Sequence, residues 1–461
     1  MALLTNSLTI PSATCRYLRR RLPHSRPRNE VRICCSNYYP PNKFKRAYTS
    51  VMIVPTGIGA SIGGFAGDAL PVARALTSVV DCLISHPNVL NAAMLYWPMP
   101  NVLYVEGFAL DRFAEGLWAL KPVHQNKVGL VLDAAIEDEL RIRHLQVVDA
   151  TRASLGLPVV KYVVTDAPLQ VEKWVDPKTG QSTGRIKGSD SLLRAVQTLI
   201  NRSSVNAVAV VARFPDDDVQ DVDDYRQGMG IDDLAGVEAI ISHLVVKEFQ
   251  IPCAHAPALS PLPLSMSLCP KSAAEEIGYT FLPCVLAGLS NAPQYVVKSS
   301  GSLEMGCMLA SDVDSVILPA DACGGDGVLA FASNEQNKPL IITVEENETV
   351  LHDTPDKLGI EAVKVSNYWE AIDILLIKAV KLAAPVLILP RSNSVDFDGT
   401  ENWHFWEPTQ SFSKKQVEES EDDLDEHDGR HGKGWGIAYK DGSAELKEKF
   451  RQAMGKTMLK Q

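Results

Sequence analysis

From Tyr48 to Pro390 the chain alternates short apolar, β-branched runs with stretches in which apolar residues recur every three to four positions. The first pattern predicts strands at 50–55, 92–97, 102–106, 127–132, 159–164, 207–213, 314–318, 339–344 and 362–366. The second predicts helices at 67–85, 108–119, 137–154, 189–202, 233–248, 271–278 and 368–383. The strand runs are apolar at successive rather than alternate positions, as expected of parallel strands with helices on both faces. The expected fold class is therefore α/β, a layered and mostly parallel arrangement with right-handed crossovers. About 340 residues is large for one core, which predicts two Rossmann-like lobes, 48–250 and 251–395. The boundary is placed at the proline-rich Ile251–Pro263, and residues 174–188 read as a polar hairpin or excursion.

Both ends of the chain differ from this body. Residues 1–35 hold seven arginines, no lysine and a single acid, Glu30, with frequent Ser and Thr and no long apolar segment. That composition predicts an organellar transit peptide, and Val31-Arg-Ile-Cys-Cys35 resembles a plastid cleavage motif, which points to the chloroplast stroma. Removing seven positive charges and one negative takes the formal net charge from −11 to −17, an unsuitable balance for binding nucleic acid. No run approaches the ~18–20 apolar residues that span a bilayer, so no transmembrane segment is expected. Residues 396–461 contain the acid run Val417–Asp428 and read as a disordered acidic tail, with Trp403-His-Phe-Trp406 ahead of it suited to docking on the body or on a protein partner. The nine cysteines form no C-x-x-C pair, which argues against a zinc knuckle or a disulfide framework.

Candidate chemistry gathers where strands end. Met52–Asp68 places glycines 57, 59, 63, 64 and 67 between an apolar run and a helical one. Strand, glycine loop and helix start form the arrangement in which backbone N–H groups receive a phosphate or carboxylate. Thr56, Gly57, Gly59, Ser61, Gly63 and Gly64 are the expected ligand contacts there. The spacing matches neither G-x-G-x-x-G nor a Walker loop, so no nucleotide cofactor is named. Val313–Gly327 repeats the syntax and adds Gly324, Gly325 and Gly327 to the expected contacts, with Asp321, Cys323 and Asp326 beside them. Both loops also fit plain helix starts, with Asp321 or Asp326 as an N-cap. Asp68, His86, Glu106 and Asp321 are the candidate acid/base or metal-binding groups, and the metal is unknown. Asn88, Asn91, Asp111, Arg112, Asp133, Thr165, Asp166, Arg213, His255, Glu304, Glu345, Glu346 and Asn347 also lie at strand ends or in the loops after them. Serine-elbow and zincin signatures are absent.

The segments P-T-G-I-G-A-S-I-G-G-F-A-G-D-A, S-H-P-N-V-L-N-A-A, Y-V-E-G-F-A-L-D-R-F and P-A-D-A-C-G-G-D-G together resemble a family of unknown function found in cyanobacteria and plant plastids. The resemblance covers about residues 48–390 and implies lineage and compartment but no reaction. Gly64-Phe-Ala-Gly-Asp68 is also similar to a loop of lipid A disaccharide synthases, which implies a glycosyltransferase as a weaker alternative. Two functions follow. One is a stromal group-transfer enzyme binding a phosphorylated or carboxylated small molecule between the glycine loops. The other is a non-catalytic plastid scaffold or assembly factor whose acidic tail binds a partner.

Overall fold

A computed structural model describes residues 47–65, 68–91, 99–216, 229–261, 281–297, 306–334 and 337–383, with isolated positions between them. The expected transit peptide and acidic tail, and the predicted strand at 92–97, lie outside the described residues. Of the predicted helix at 271–278, only Ala273 is described.

Two parallel sheets carry the fold. In the larger, the central strand β1 (Thr49–Met52) lies between β2 (Cys82–Ser85) and β12 (Val313–Pro319). Strand β3 (Val102–Tyr104) extends it on one side, and β13 (Leu340–Val344) and β14 (Val363–Val365) on the other. The smaller sheet runs β10 (Cys253–Ala258), β9 (Ala207–Arg213), β5 (Val128–Leu132), β6 (Val159–Val164). All pairings in both are parallel. Two antiparallel pairs complete the strands. One joins β4 (Trp118–Lys121) to β11 (Gln294–Val297), the other β7 (Val171–Val175) to β8 (Ser182–Ile186).

Successive side chains on a strand point to opposite faces, and here both faces are buried. Val51 and Met52 enter different apolar clusters, as do Leu83 and Ile84, Leu130 and Val131, and Ala209 and Val210. Each cluster draws residues from both sheets, so helices cover both faces of a continuous body. The chain is thus an α/β protein of parallel sheets with flanking helices.

The sheets divide the chain differently from the expected lobes. Residues 49–104 and 313–365 build one sheet, and 128–258 lie between them in sequence and build the other. The proline-rich stretch expected as a boundary carries β10, with Pro257 inside it. An edge strand accommodates that proline because one side of its backbone has no ladder partner.

Two predicted helices are shorter than expected. Helix α1 (Leu70–Thr77) ends early, and Cys82–Ser85 becomes β2. Val79, Val80, Leu83 and Ile84 satisfy either period, and the open side of β1 decides between them. Helix α2 (Pro87–Leu90) is one turn, and α3 (Gly107–Ala114) hands Trp118–Lys121 to β4. The remaining helices used below are α4 (Asp138–Leu155), α5 (Ser189–Ser203), α6 (Ala235–Phe249), α7 (Leu282–Ser290) and α8 (Asp326–Ser333). They are followed by α9 (Pro355–Leu358) and α10 (Tyr368–Ala383). Helix α4 stops at Gly156, whose φ of +66° is the left-handed cap that glycine adopts at little cost.

Candidate active site

The two glycine loops follow the adjacent strands β1 and β12 and leave the same sheet edge. Between them runs the segment that follows β13. Ser61 N donates to Glu348 O at 2.9 Å, Val350 N to Ile58 O at 3.0 Å, and Ile62 N to Asn347 Oδ1 at 2.8 Å. Asn347 in turn donates to Ile62 O and to Tyr368 Oη. On the other side Asp321 accepts from Thr349 N (2.8 Å) and Thr349 Oγ1 (2.9 Å), and Cys323 N donates to Asp353 O (2.8 Å). Both loops therefore grip residues 347–353 of the protein itself.

Most of their described glycines are closely packed. Gly63 has a φ of +90°, and its N–H donates to the buried Asp68 carboxylate. A side chain on Gly64 would strike the Ala60 carbonyl. Gly57 O accepts from Ser182 N at 2.8 Å, and the ring of Ile231 and Val350 side chains closes over Gly59. Gly327 N, in the first turn of α8, donates to Asp111 Oδ1 of α3 at 3.0 Å, and Gly324 packs on Asp353. Gly325 is the N-cap of α8 and has open space around it. Burial pushes the Cys323 thiol up to about 12, away from the thiolate form that a nucleophile needs.

A separate polar cleft opens beside the first loop, at the carboxyl ends of β1, β2 and β3. Its cavity volume is about 90 Å³. Thr56 and Phe65 of the first loop reach it, with His86, Asn88 and Asn91 after β2 and Glu106 after β3. Its other wall comes from the smaller sheet: Asp232, then Glu238, Ser242 and His243 on α6, and His255 on β10. Of the four expected acid/base groups, His86 and Glu106 meet here. Asp68 sits behind the first loop, and Asp321 binds Thr349.

Glu106 ends β3 and caps α3, accepting from Ala109 N at 3.2 Å. Its other oxygen faces His243 Nδ1 at 2.8 Å. Nδ1 also contacts the Ala239 carbonyl, so it is the protonated nitrogen and Nε2 is left for the cleft. Burial opposes the imidazolium, but hydrogen bonding and charge from Glu106 outweigh it, and the His243 pKa is raised. Glu106 is almost fully buried, while 40% of the His243 side chain is exposed. This is a carboxylate that orients an imidazole and an imidazole that reaches solvent.

Asp232 sits beside the start of α6 and accepts from Leu234 N at 3.0 Å. Burial, with the nearby Glu238 charge, pushes its carboxyl up to about 7. Glu238 Oε2 lies 3.2 Å from His255 Nε2, and His255 Nδ1 lies 3.0 Å from Ser242 Oγ. With Nε2–H donated to Glu238, Nδ1 accepts from the Ser242 hydroxyl. Ser242 is 2% exposed, so it fixes the His255 ring rather than attacking a substrate. His86 is the most buried imidazole of the set. Val54 N donates to its Nε2 at 3.0 Å, and burial lowers its pKa to about 4. Among the described residues no three His, Cys, Asp or Glu side chains stand close enough to hold a metal ion.

Other strand-end residues have structural partners. Asp133 accepts from Ala135 N, Leu169 N and Arg213 N, and Arg213 bridges Glu137 and Asp216. Asp166 pairs with Arg194, Thr165 donates to Ala167 O, and Arg112 pairs with Glu115. Glu304 lies outside the described residues. Asp232, Glu238, Ser242 and His243 carry no sequence motif. The available signal is on α6, where Glu238 and Ser242, four residues apart, share one face of a helix that is mostly apolar up to Val246.

Fold and cleft together define a parallel α/β protein with a histidine- and carboxylate-lined site at a sheet edge. The chain belongs to the family described as "Protein of unknown function (DUF3326)", whose model matches residues 49–387. It is 56% identical over 329 residues to a protein of Synechococcus sp. named an uncharacterized lipoprotein, covering 71% of this chain and 89% of that one. No solved structure matches. No helix among the described residues is long and apolar enough to cross a membrane.

Proposed function

We propose that the cleft is the active site of an enzyme that performs general acid–base chemistry on a small polar molecule. The carrying observation is the Glu106–His243 pair, with Nε2 open to the cleft. A carboxylate that holds Nδ1–H fixes the tautomer, so that Nε2 is the atom that takes or gives a proton. Asp232, whose carboxyl pKa is raised by burial and by the Glu238 charge, is a second group suited to proton transfer.

The cleft favours a different ligand from the phosphorylated or carboxylated molecule expected at the glycine loops. Among its described lining residues there is no Lys or Arg, and Glu106, Asp232 and Glu238 all face inward. A neutral or cationic ligand meets this field better than an anion. The test has two arms. NMR titration of the full chain should show a His243 pKa that falls in E106Q. A thermal-shift panel of neutral polyols and carbonyl compounds, amines and phosphorylated compounds should stabilise through the first three classes only. An unshifted His243 pKa in E106Q, or stabilisation by phosphorylated compounds alone, would sink the reading.

Residence in the chloroplast stroma is part of the proposal, supported by the arginine-rich first 35 residues and the cyanobacterial relative. Residues 1–50 fused to a fluorescent reporter should enter chloroplasts and be cut near Cys34 or Cys35, and a cytosolic reporter would count against it. A scaffold role draws on one observation. The edge strand β6 exposes Val160 and Tyr162, and β7 exposes Trp174, an apolar surface of the kind used in docking.

A further inference from the structure

His86 is held at the end of β2 by the backbone that leaves β1. Val54 N donates to its Nε2, and Asn88 Nδ2 donates back to Val54 O at 2.9 Å. A ring nitrogen that accepts a hydrogen bond carries no proton, so the neutral ring has its proton on Nδ1. Protonating Nε2 would set one N–H against another at a buried hydrogen bond, and the low pKa agrees with that geometry. Nδ1 has no partner among the described residues, and the ring lines the cleft. The cleft thus contains a neutral imidazole N–H that does not titrate at physiological pH.

A fixed donor of this kind suits an oxygen that accepts without donating. It contributes most where that oxygen gains charge during the reaction. The facing carboxylates of Glu106, Asp232 and Glu238 disfavour a substrate that is already anionic. Ser85 pairs with Tyr104 of β3, and Val105 N, just beyond β3, donates to Ser85 O at 2.8 Å, so His86 and Glu106 follow neighbouring strands of one sheet. The donor and the Glu106–His243 pair therefore belong to the same end of the cleft.

Resting on the acid–base reading above, we propose that the substrate is a small neutral carbonyl compound. Its carbonyl oxygen accepts from His86 Nδ1–H while His243 Nε2 removes a proton from the adjacent carbon. The C–H electron pair becomes a C=C bond, and the carbonyl π pair moves to oxygen as an enolate held by Nδ1–H. The proton rests on Nε2, where Glu106 faces the new imidazolium. Its return to carbon restores the carbonyl compound, and in D₂O it carries deuterium in.

Dihydroxyacetone and hydroxyacetone serve as probes, with the full chain in D₂O and proton NMR following loss of the C–H signals. Exchange should exceed that of free imidazole at equal concentration. H86Q, whose amide oxygen still accepts from Val54 N–H, should lower it at least tenfold, and H243Q should abolish it. In ¹⁵N spectra His86 should stay neutral and Nδ1-protonated from pH 5.5 to 9, and both probes should move its Nδ1 resonance. An Nε2-protonated His86, a His86 titrating near its ordinary value, or probes that neither exchange nor move that resonance would overturn the proposal. Exchange lost in H243Q but intact in H86Q would overturn it while leaving the Glu106–His243 reading standing. A His243 pKa unmoved by E106Q removes the underlying reading instead.

Discussion

The glycine loops and the histidine cleft lie at the same sheet edge, yet they treat their polar groups in opposite ways. In the loops the amides of Ser61, Ile62, Gly63, Cys323 and Gly327 are paired with protein. The side chains of Asn347 and Asp321 complete those pairings. In the cleft the rings of His86 and His243 each bind protein through one nitrogen and leave the other open. Glycine in a turn after a strand marks close approach of something, and here the visitor is the protein's own segment 347–353. A binding site needs polar groups whose second partner is missing, and sequence syntax does not report that.

The comparison breaks if the loops prove to serve a ligand rather than the fold. Replacing Gly64 with Val should have the largest effect, destabilising the chain by roughly 3 kcal/mol or more. The added Cβ meets the Ala60 backbone, which has no rotamer to yield. Chemical denaturation measures it. A G64V protein with native stability and no ligand response would reverse the assignment.

The next effect sharpens the cleft side. His86 is neutral when folded, with a pKa near 4 against an ordinary 6.5. The unfolded chain takes up that proton first, so its contribution is complete above pH 6.5 and is lost as pH falls toward 4. The size is about 3 kcal/mol over that interval at about 1.4 kcal/mol per pKa unit. Stability of H86Q followed against pH should show a shallower loss across the same window, and an unchanged slope would contradict a neutral His86.

Asn347→Ala should cost about 2 kcal/mol, since it leaves Ile62 N–H, Ile62 C=O and the Tyr368 hydroxyl short of a partner in a buried place. The thermal midpoint should fall while His243 titrates as before. A changed His243 titration would mean that loops and cleft are coupled. Asp232→Asn should act with the opposite sign. The Asp232 pKa is raised by burial, so the cost of ionising it in the folded chain builds as pH rises above the ordinary carboxylate range and is complete once pH passes the raised value. D232N should therefore gain on the parent protein as pH rises from about 4 to about 7 and hold that gain above it, and a loss over that range would contradict the raised pKa.

Much of the fold was legible before the structure. Val51–Met52, Leu130–Val131 and Ala209–Val210 are apolar at neighbouring positions because each strand is covered on both faces, and that implies parallel sheets. Cys82–Ser85 was not legible, because four apolar-rich residues fit a helix turn as well as a strand, and only the vacancy beside β1 selects between them. His86 and Glu106 were legible as strand-end groups. Their partner His243 was not, because it lies mid-helix with no distinguishing neighbours.

The chain's local order determined what is apolar, with what period, and which polar residues end strands, since burial and periodicity are properties of neighbours in sequence. Only the tertiary structure decided which polar residues share a space. Residues 128–258 form their own sheet between two halves of another, and that threading brings α6 to the ends of β2 and β3. A histidine and a glutamate 137 positions apart become a proton-transfer pair through that long-range arrangement, which no short stretch of sequence records.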